Sequence, residues 1–219
     1  MTDTPIASSG TERKKWILFL IVAALSLFAD QATKIWARDA LPTVRGDGRT
    51  GMCIVPDDMM LRTASGKDVM PSCHGQSVVV IDGFWKWRLS MNAGSAFGLF
   101  SSQNGARIGL SVVGILAVLG MIWMLRQARN DQRILHWALA LVCGGAVGNL
   151  IDRIYYGVVT DFVLWFYKTH EWPVFNIADV VLVVGVGLMF IDIQKEGRRE
   201  KELKKLQQQK AKAAGLVKL

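Results

Sequence analysis

Four long stretches of the chain carry almost no charge, and short polar segments separate them. Residues 16–29 are uncharged, and after Asp30 the apolar character resumes through Ile35, Trp36 and Ala37. Residues 108–125 form an unbroken uncharged run, and 134–151 form another whose one titratable ring is His136. A fourth run, 172–191, is interrupted once, by Asp179. A helix needs about 20 mainly apolar residues to cross the hydrocarbon core of a bilayer. The pattern therefore predicts four transmembrane helices. Between the first two runs, residues 78–81 and 84–91 flank Asp82-Gly83, and Trp85-Lys86-Trp87-Arg88-Leu89 alternates with period two. This predicts a short strand pair around a tight turn, its aromatic face suited to the membrane interface. Residues 43–76 are rich in Gly, Asp, Ser and Pro without a clear period and read as a loop or insertion.

The expected fold class is thus an all-α membrane protein of four transmembrane helices with a small extracytoplasmic β-rich element. Composition alone would not have said so. Across the 219 residues 51% are hydrophobic and mean hydropathy is +0.27, close to a soluble average of roughly 45–50% apolar. It is the segregation into blocks that excludes an ordinary soluble domain, and disorder with it. Three cysteines are too few for a disulfide scaffold. Cys143, inside the third run, reads as a small buried hydrophobe. Cys53 and Cys73 fall in the outward segment, where pairing is an open alternative, and with His74 they are too few for a zinc site.

Charge orients the helices. Residues 1–15 carry three basic against two acidic groups, 126–133 three against one, and 194–219 nine against three. These segments account for the whole positive excess of a chain whose formal net charge is +8. The positive-inside rule makes both termini and the 126–133 loop cytoplasmic, with about 38–104 and 153–173 facing outward. The N-terminal run is not read as a cleavable signal peptide, because Ser-Leu-Phe-Ala before Asp30 lacks the small-x-small pattern and the apolar character continues beyond it. The expected organisation is a cytoplasmic segment 1–15, a four-helix domain 16–193 and a basic cytoplasmic tail 194–219. The tail reads as a solvated helical extension or as a contact to anionic lipid. No aromatic residues interleave its basic ones, so nucleic acid is not an expected partner.

Ionisable groups inside membrane segments are costly, and each needs a reason. Here they gather at one end of the helices. Asp30 and Lys34 lie one turn apart on helix 1. Asn149, Asp152 and Arg153 share one face at the end of helix 3. Asp161 follows shortly after, and Asn176 and Asp179 lie one turn apart at the start of helix 4. Asp30 with Lys34, and Asp152 with Arg153, can be structural ion pairs. Asp161 and Asp179 have no basic neighbour within a helical turn. Two carboxylates brought together share a proton, so one can activate water while the other polarises a carbonyl. No Gly-x-Ser-x-Gly elbow, His-Glu-x-x-His or phosphate loop competes for the chemistry. His136 reads as a packed helix residue. Gly144 with Gly148, and Gly185 with Gly187, read as close helix contacts.

Five motifs in order then resemble one family. They are Asp30-Gln-Ala-Thr-Lys34, Asn92-Ala-Gly-Ser-Ala-Phe97-Gly98, Gly144-Gly-Ala-Val-Gly148-Asn149-Leu-Ile-Asp152-Arg153, Gly157-Val-Val-Thr-Asp161-Phe162 and Phe175-Asn176-Ile-Ala-Asp179. Their order, spacing and membrane placement resemble the lipoprotein signal peptidases, or signal peptidase II, over about residues 16–193. The resemblance implies an aspartic endopeptidase of the bacterial inner membrane, acting at its outer face. Such an enzyme cuts diacylglyceryl-modified prolipoproteins before the lipidated cysteine, with the substrate entering from membrane lipids. It implies Asp161 and Asp179 as the catalytic pair. Asn92, Asn149, Arg153 and Asn176 would position substrate or the pair, with Asp30 and Lys34 in support. It further implies no metal or other cofactor and a small extracytoplasmic β-cradle around 78–91, and nothing requires more than a monomer. The segment between Lys34 and Asn92 is longer than the family leads one to expect.

A transporter or channel subunit would show charges at mid-membrane and internal repeats, and neither is present. A presenilin-like protease would need Gly-x-Gly-Asp, whereas Val-Val-Thr and Asn-Ile-Ala precede the two aspartates here.

Overall fold

The computed structural model describes residues 9–42, 61–62, 68–69, 75–92 and 103–213. Cys53, Cys73, His74, most of 43–76 and the part of the second motif after Asn92 lie outside the described residues.

Four helices are long and apolar enough to cross a membrane. They are α1 (Ser9–Ala40), α2 (Gln103–Gln127), α3 (Arg133–Tyr155) and α4 (Ile177–Ala213). Of the apolar window of α3, 61% is buried, against 22% or less in the others, so α3 is the central helix and the others pack around it. Glycines let the backbones close in. A methyl group on Gly144 would meet Ala23 O and Ser26, one on Gly145 would meet Ala178 O, and one on Gly185 would meet Val142 and Ala138 O. Gly187 departs from the expectation, because a methyl group there would meet no neighbouring element within 4 Å. Phe19, Val22, Leu125, Leu139, Ala140 and Cys143 form the interhelical core. His136 is buried as a packed residue, its Nε2 3.1 Å from Arg129 O.

The strands are β1 (Leu61–Arg62), β2 (Asp68–Val69), β3 (Val78–Ile81), β4 (Trp85–Asn92), β5 (Val159–Tyr167) and β6 (His170–Glu171). The first two pair with each other inside the stretch expected to be loop. The rest form an antiparallel sheet in the order β3-β4-β5-β6. The expected strand pair is β3 and β4. Ile81 pairs with Trp85, and the turn uses the positive φ of Gly83, 75°. The predicted alternation holds, but its apolar face packs inward. Leu89 and Met91 join Ala37, Leu41, Val158, Phe162 and Val163 in a second core, with Trp85 and Trp87 against it. Trp36 of α1 meets Trp87 edge-on at 5.3 Å, which seats the sheet on the end of α1.

Two boundaries differ from the sequence reading. Residues 159–167, read as part of an outward connection, are the longest strand of the sheet. Helix 4 starts at Ile177 rather than Trp172, because Phe175 bridges to Val163 of β5 and Asn176 is the helix cap. At its other end α4 runs without a break through the basic segment to Ala213, exposed along nearly all of that length.

Candidate functional site

All eight residues singled out from the sequence come together where the sheet meets the helix ends. Asp161 projects from β5. Asp179 lies in the first turn of α4, where the positive end of the helix dipole favours a carboxylate. Asn176 joins them. Its side-chain Nδ2 donates to Asp161 Oδ1 at 2.7 Å, and its backbone N–H donates to Asp179 Oδ2 at 3.1 Å. Its own Oδ1 accepts from Asp179 N at 3.0 Å. The Asn176–Asp179 exchange is a capping box, so the bonds that start α4 also orient one of its carboxylates.

The remaining polar residues build outward from this centre. Asn92, at the end of β4, donates to Asp161 Oδ2 at 3.0 Å. Asn149 of α3 donates to Asp179 Oδ1 at 3.1 Å and accepts from Asn176 Nδ2 at 3.2 Å and from Lys34 Nζ at 2.8 Å. Lys34 is fully buried, 2.9 Å from Asp30 and 3.5 Å from Asp152. Asp30 Oδ1 accepts from the backbone N–H of Ala178 at 2.9 Å. Arg153 donates to Asn149 O at 3.4 Å, and its guanidinium feels the charges of both Asp179 and Asp161.

Asp152 corrects the sequence reading. Its expected partner was Arg153, the next residue. In the fold it is gripped from α1 by Lys34 and by Arg38, whose Nη1 is 3.5 Å away, and it accepts from Thr160 N at 2.8 Å. Arg38 and Thr160 are the residues the sequence reading missed. Arg38 is buried, donates to Thr160 Oγ1 at 2.8 Å and lies 4.3 Å over the Tyr156 ring. The signal for it was present, since Asp30, Lys34 and Arg38 recur every four residues on one face of α1.

Burial, and then the charge of Asp179 beside it, push the Asp161 carboxyl up to about 7. Asp161 is buried, whereas Asp179 is half-buried and opens onto a groove of about 310 Å³. The groove is lined by Trp165, Trp172, Phe175, Val180, Val183 and Val184. Among the described residues no group of three or more His, Cys, Asp or Glu side chains could hold a metal ion. The arrangement is thus a pair of carboxyl groups, one buried and one half-buried, bridged by an amide at the edge of an apolar groove.

Fold and site together define a polytopic membrane protein with a built carboxylate pair at one end of its helices. Comparison with known proteins makes the assignment specific. The family profile described as signal peptidase (SPase) II matches residues 22–195, and the chain belongs to that family of peptidases. The lipoprotein signal peptidase of Geobacter metallireducens is 33% identical over 183 residues, covering 84% of this chain and 94% of that protein. That of Symbiobacterium thermophilum is 43% identical over 116 residues, covering 53% and 74%. A bacterial membrane enzyme solved by the in meso method at 2.3 Å resolution superposes with a TM-score of 0.60 at 25% identity, covering 84% of this chain and 92% of that one.

Proposed function

We propose that this chain removes signal peptides from lipoproteins as an aspartic endopeptidase, with Asp161 and Asp179 as its general acid–base pair. The observation that carries the reading is the bridge through Asn176, which ties a buried carboxyl near 7 to a half-buried carboxylate. Below about pH 7 Asp161 holds a proton, and Asp179 serves as the base. Asp179 takes a proton from water as the water oxygen attacks the scissile carbonyl, and Asp161 donates its hydrogen bond to the developing oxyanion. Collapse of the tetrahedral intermediate breaks the C–N bond, and the proton held by Asp179 passes to the leaving amine. Arg153, Asn92 and Asn149 orient the pair and the substrate backbone, while Asp30 and Lys34 fix the helices that carry them.

The substrate is a diacylglyceryl-modified prolipoprotein, cut before its lipidated cysteine. The apolar groove beside Asp179 supports a substrate whose flanking groups stay in lipid while the scissile bond meets water. The positive charge gathered on 1–15, 126–133 and 194–219 supports cytoplasmic termini and a site at the outer face of the bacterial inner membrane. The test is to incubate the purified protein with a diacylglyceryl-modified prolipoprotein, with and without EDTA, and to map the product by mass spectrometry. Cleavage immediately before the modified cysteine, unchanged by the chelator, is expected. Cleavage elsewhere, or loss of activity with EDTA, would contradict the reading.

A further inference from the structure

We propose that Arg38 is a positioning residue for Asp161, acting through the hydroxyl of Thr160; the inference rests on reading Asp161 and Asp179 as the catalytic pair. Trp87 pairs with Val163 and Ser90 with Asp161, so two residues of β4 stand opposite Phe162 alone. This is a bulge, and it interrupts the β4–β5 ladder beside Asp161. The Asp161 carboxylate is held by Asn92 and Asn176, while its backbone, next to the bulge, takes a further anchor from the residue before it.

The residue just before Asp161 is held from two sides. Thr160 N donates to Asp152 Oδ2 at 2.8 Å, and Thr160 Oγ1 accepts from Arg38 Nη1 at 2.8 Å. Arg38 is fixed in turn by Asp152 Oδ1 at 3.5 Å and by the face of Tyr156 at 4.3 Å. Thr160, Asp152 and Arg38 are each at most 2% exposed. A guanidinium this deeply buried has few rotamers open to it, so it fixes position as well as charge.

The same helix holds the other carboxylate in the same manner. Asp30 accepts from the backbone of Ala178, the residue just before Asp179. Between them Lys34 reaches Asn149, which donates to Asp179. Asp30 and Arg38 are eight residues apart, about 12 Å along the helix axis at 1.5 Å per residue. One rigid face of α1 therefore gauges the separation of the two aspartates, through the residue that precedes each. Small displacements of a reacting group carry large rate costs, which gives such a gauge a function beyond folding.

Thr160→Val removes the hydroxyl and keeps the shape, so it is the decisive variant. It is expected to lower kcat on the order of tenfold, with KM near the wild-type value and only a modest fall in unfolding temperature from the guanidinium N–H that loses its acceptor. Arg38→Met should lower kcat at least as much, and Arg38→Lys should recover part of the loss because one N–H can still reach the hydroxyl. The double variant Arg38→Met/Thr160→Val should be no slower than Arg38→Met alone, since both remove one interaction. Wild-type kcat in Thr160→Val, losses that fall in KM, or losses that multiply in the double variant would overturn the proposal. Asp161→Asn is run alongside. If it is inactive while Thr160→Val turns over normally, only the positioning role fails; if it is active, the catalytic pair itself fails.

Discussion

Asp30 of α1 caps the first turn of α4 by accepting a hydrogen bond from the backbone of Ala178 at 2.9 Å. The same carboxylate neutralises Lys34 at 2.9 Å, and both side chains are completely buried. Asp30→Ala therefore leaves an ammonium with Asp152 as its remaining buried counter-ion, at 3.5 Å, and strips an amide N–H of its acceptor. Breaking one side of a buried pair costs about 3–5 kcal/mol. The expected outcome is a large fall in unfolding temperature together with loss of cleavage. Unfolding followed by circular dichroism in detergent checks it, and wild-type stability would contradict the role given to Asp30.

Gly148 and Gly187 make a matched contrast. A methyl group on Gly148 would run into the Asp30 carboxylate, whose two oxygens are already bonded to Ala178, Gln31 and Lys34. Overpacking of this kind costs about 1–3 kcal/mol, and here it also displaces a supporting residue of the site. Gly187 has open space around it. Gly148→Ala should lose both stability and activity, whereas Gly187→Ala should stay within about 1 kcal/mol of wild type. Unfolding midpoints and cleavage rates of the two variants decide the comparison.

The pH dependence follows from Asp161. Its carboxyl is raised to about 7, so below that pH it holds the proton that the proposed mechanism needs, and above it that proton is lost. The rate of cleavage should fall on an alkaline limb with an apparent midpoint near 7. Stability moves in the same direction. The unfolded chain releases this proton near pH 4, the folded chain near 7, so Asp161 costs the fold progressively more as pH rises between those values. The unfolding temperature of Asp161→Asn relative to wild type should therefore improve from pH 4 to pH 7 and level off above. A difference that does not change with pH would contradict the raised carboxyl.

Much of this site was legible in the sequence because its residues sit at fixed offsets on helices. Asp30 and Lys34, Asn149 and Arg153, and Asn176 and Asp179 each lie one turn apart, and each is found on a common face. The four spans were legible as uncharged runs. What was lost belongs to the sheet and to contacts across elements. β5 escaped notice because residues 159–164 are all buried, leaving no alternation to read. The start of helix 4 does not show in the sequence because 172–176 is apolar for a different reason, namely that Trp172 and Phe175 line the groove and Phe175 bridges to β5. Asp152 has a cation beside it in sequence, but its partners Lys34 and Arg38 lie more than a hundred residues away. Sequence proximity says little about a buried charge whose counter-ion comes from another helix.

The central claim is that Asp161 and Asp179 together perform the hydrolysis. Asp161→Asn and Asp179→Asn keep size and shape while removing, respectively, the proton donor and the base. With a diacylglyceryl-modified prolipoprotein, and with each variant first shown to unfold as cooperatively as wild type, both should be slower by about a hundredfold to ten-thousandfold. Wild-type cleavage by either folded variant would contradict the account.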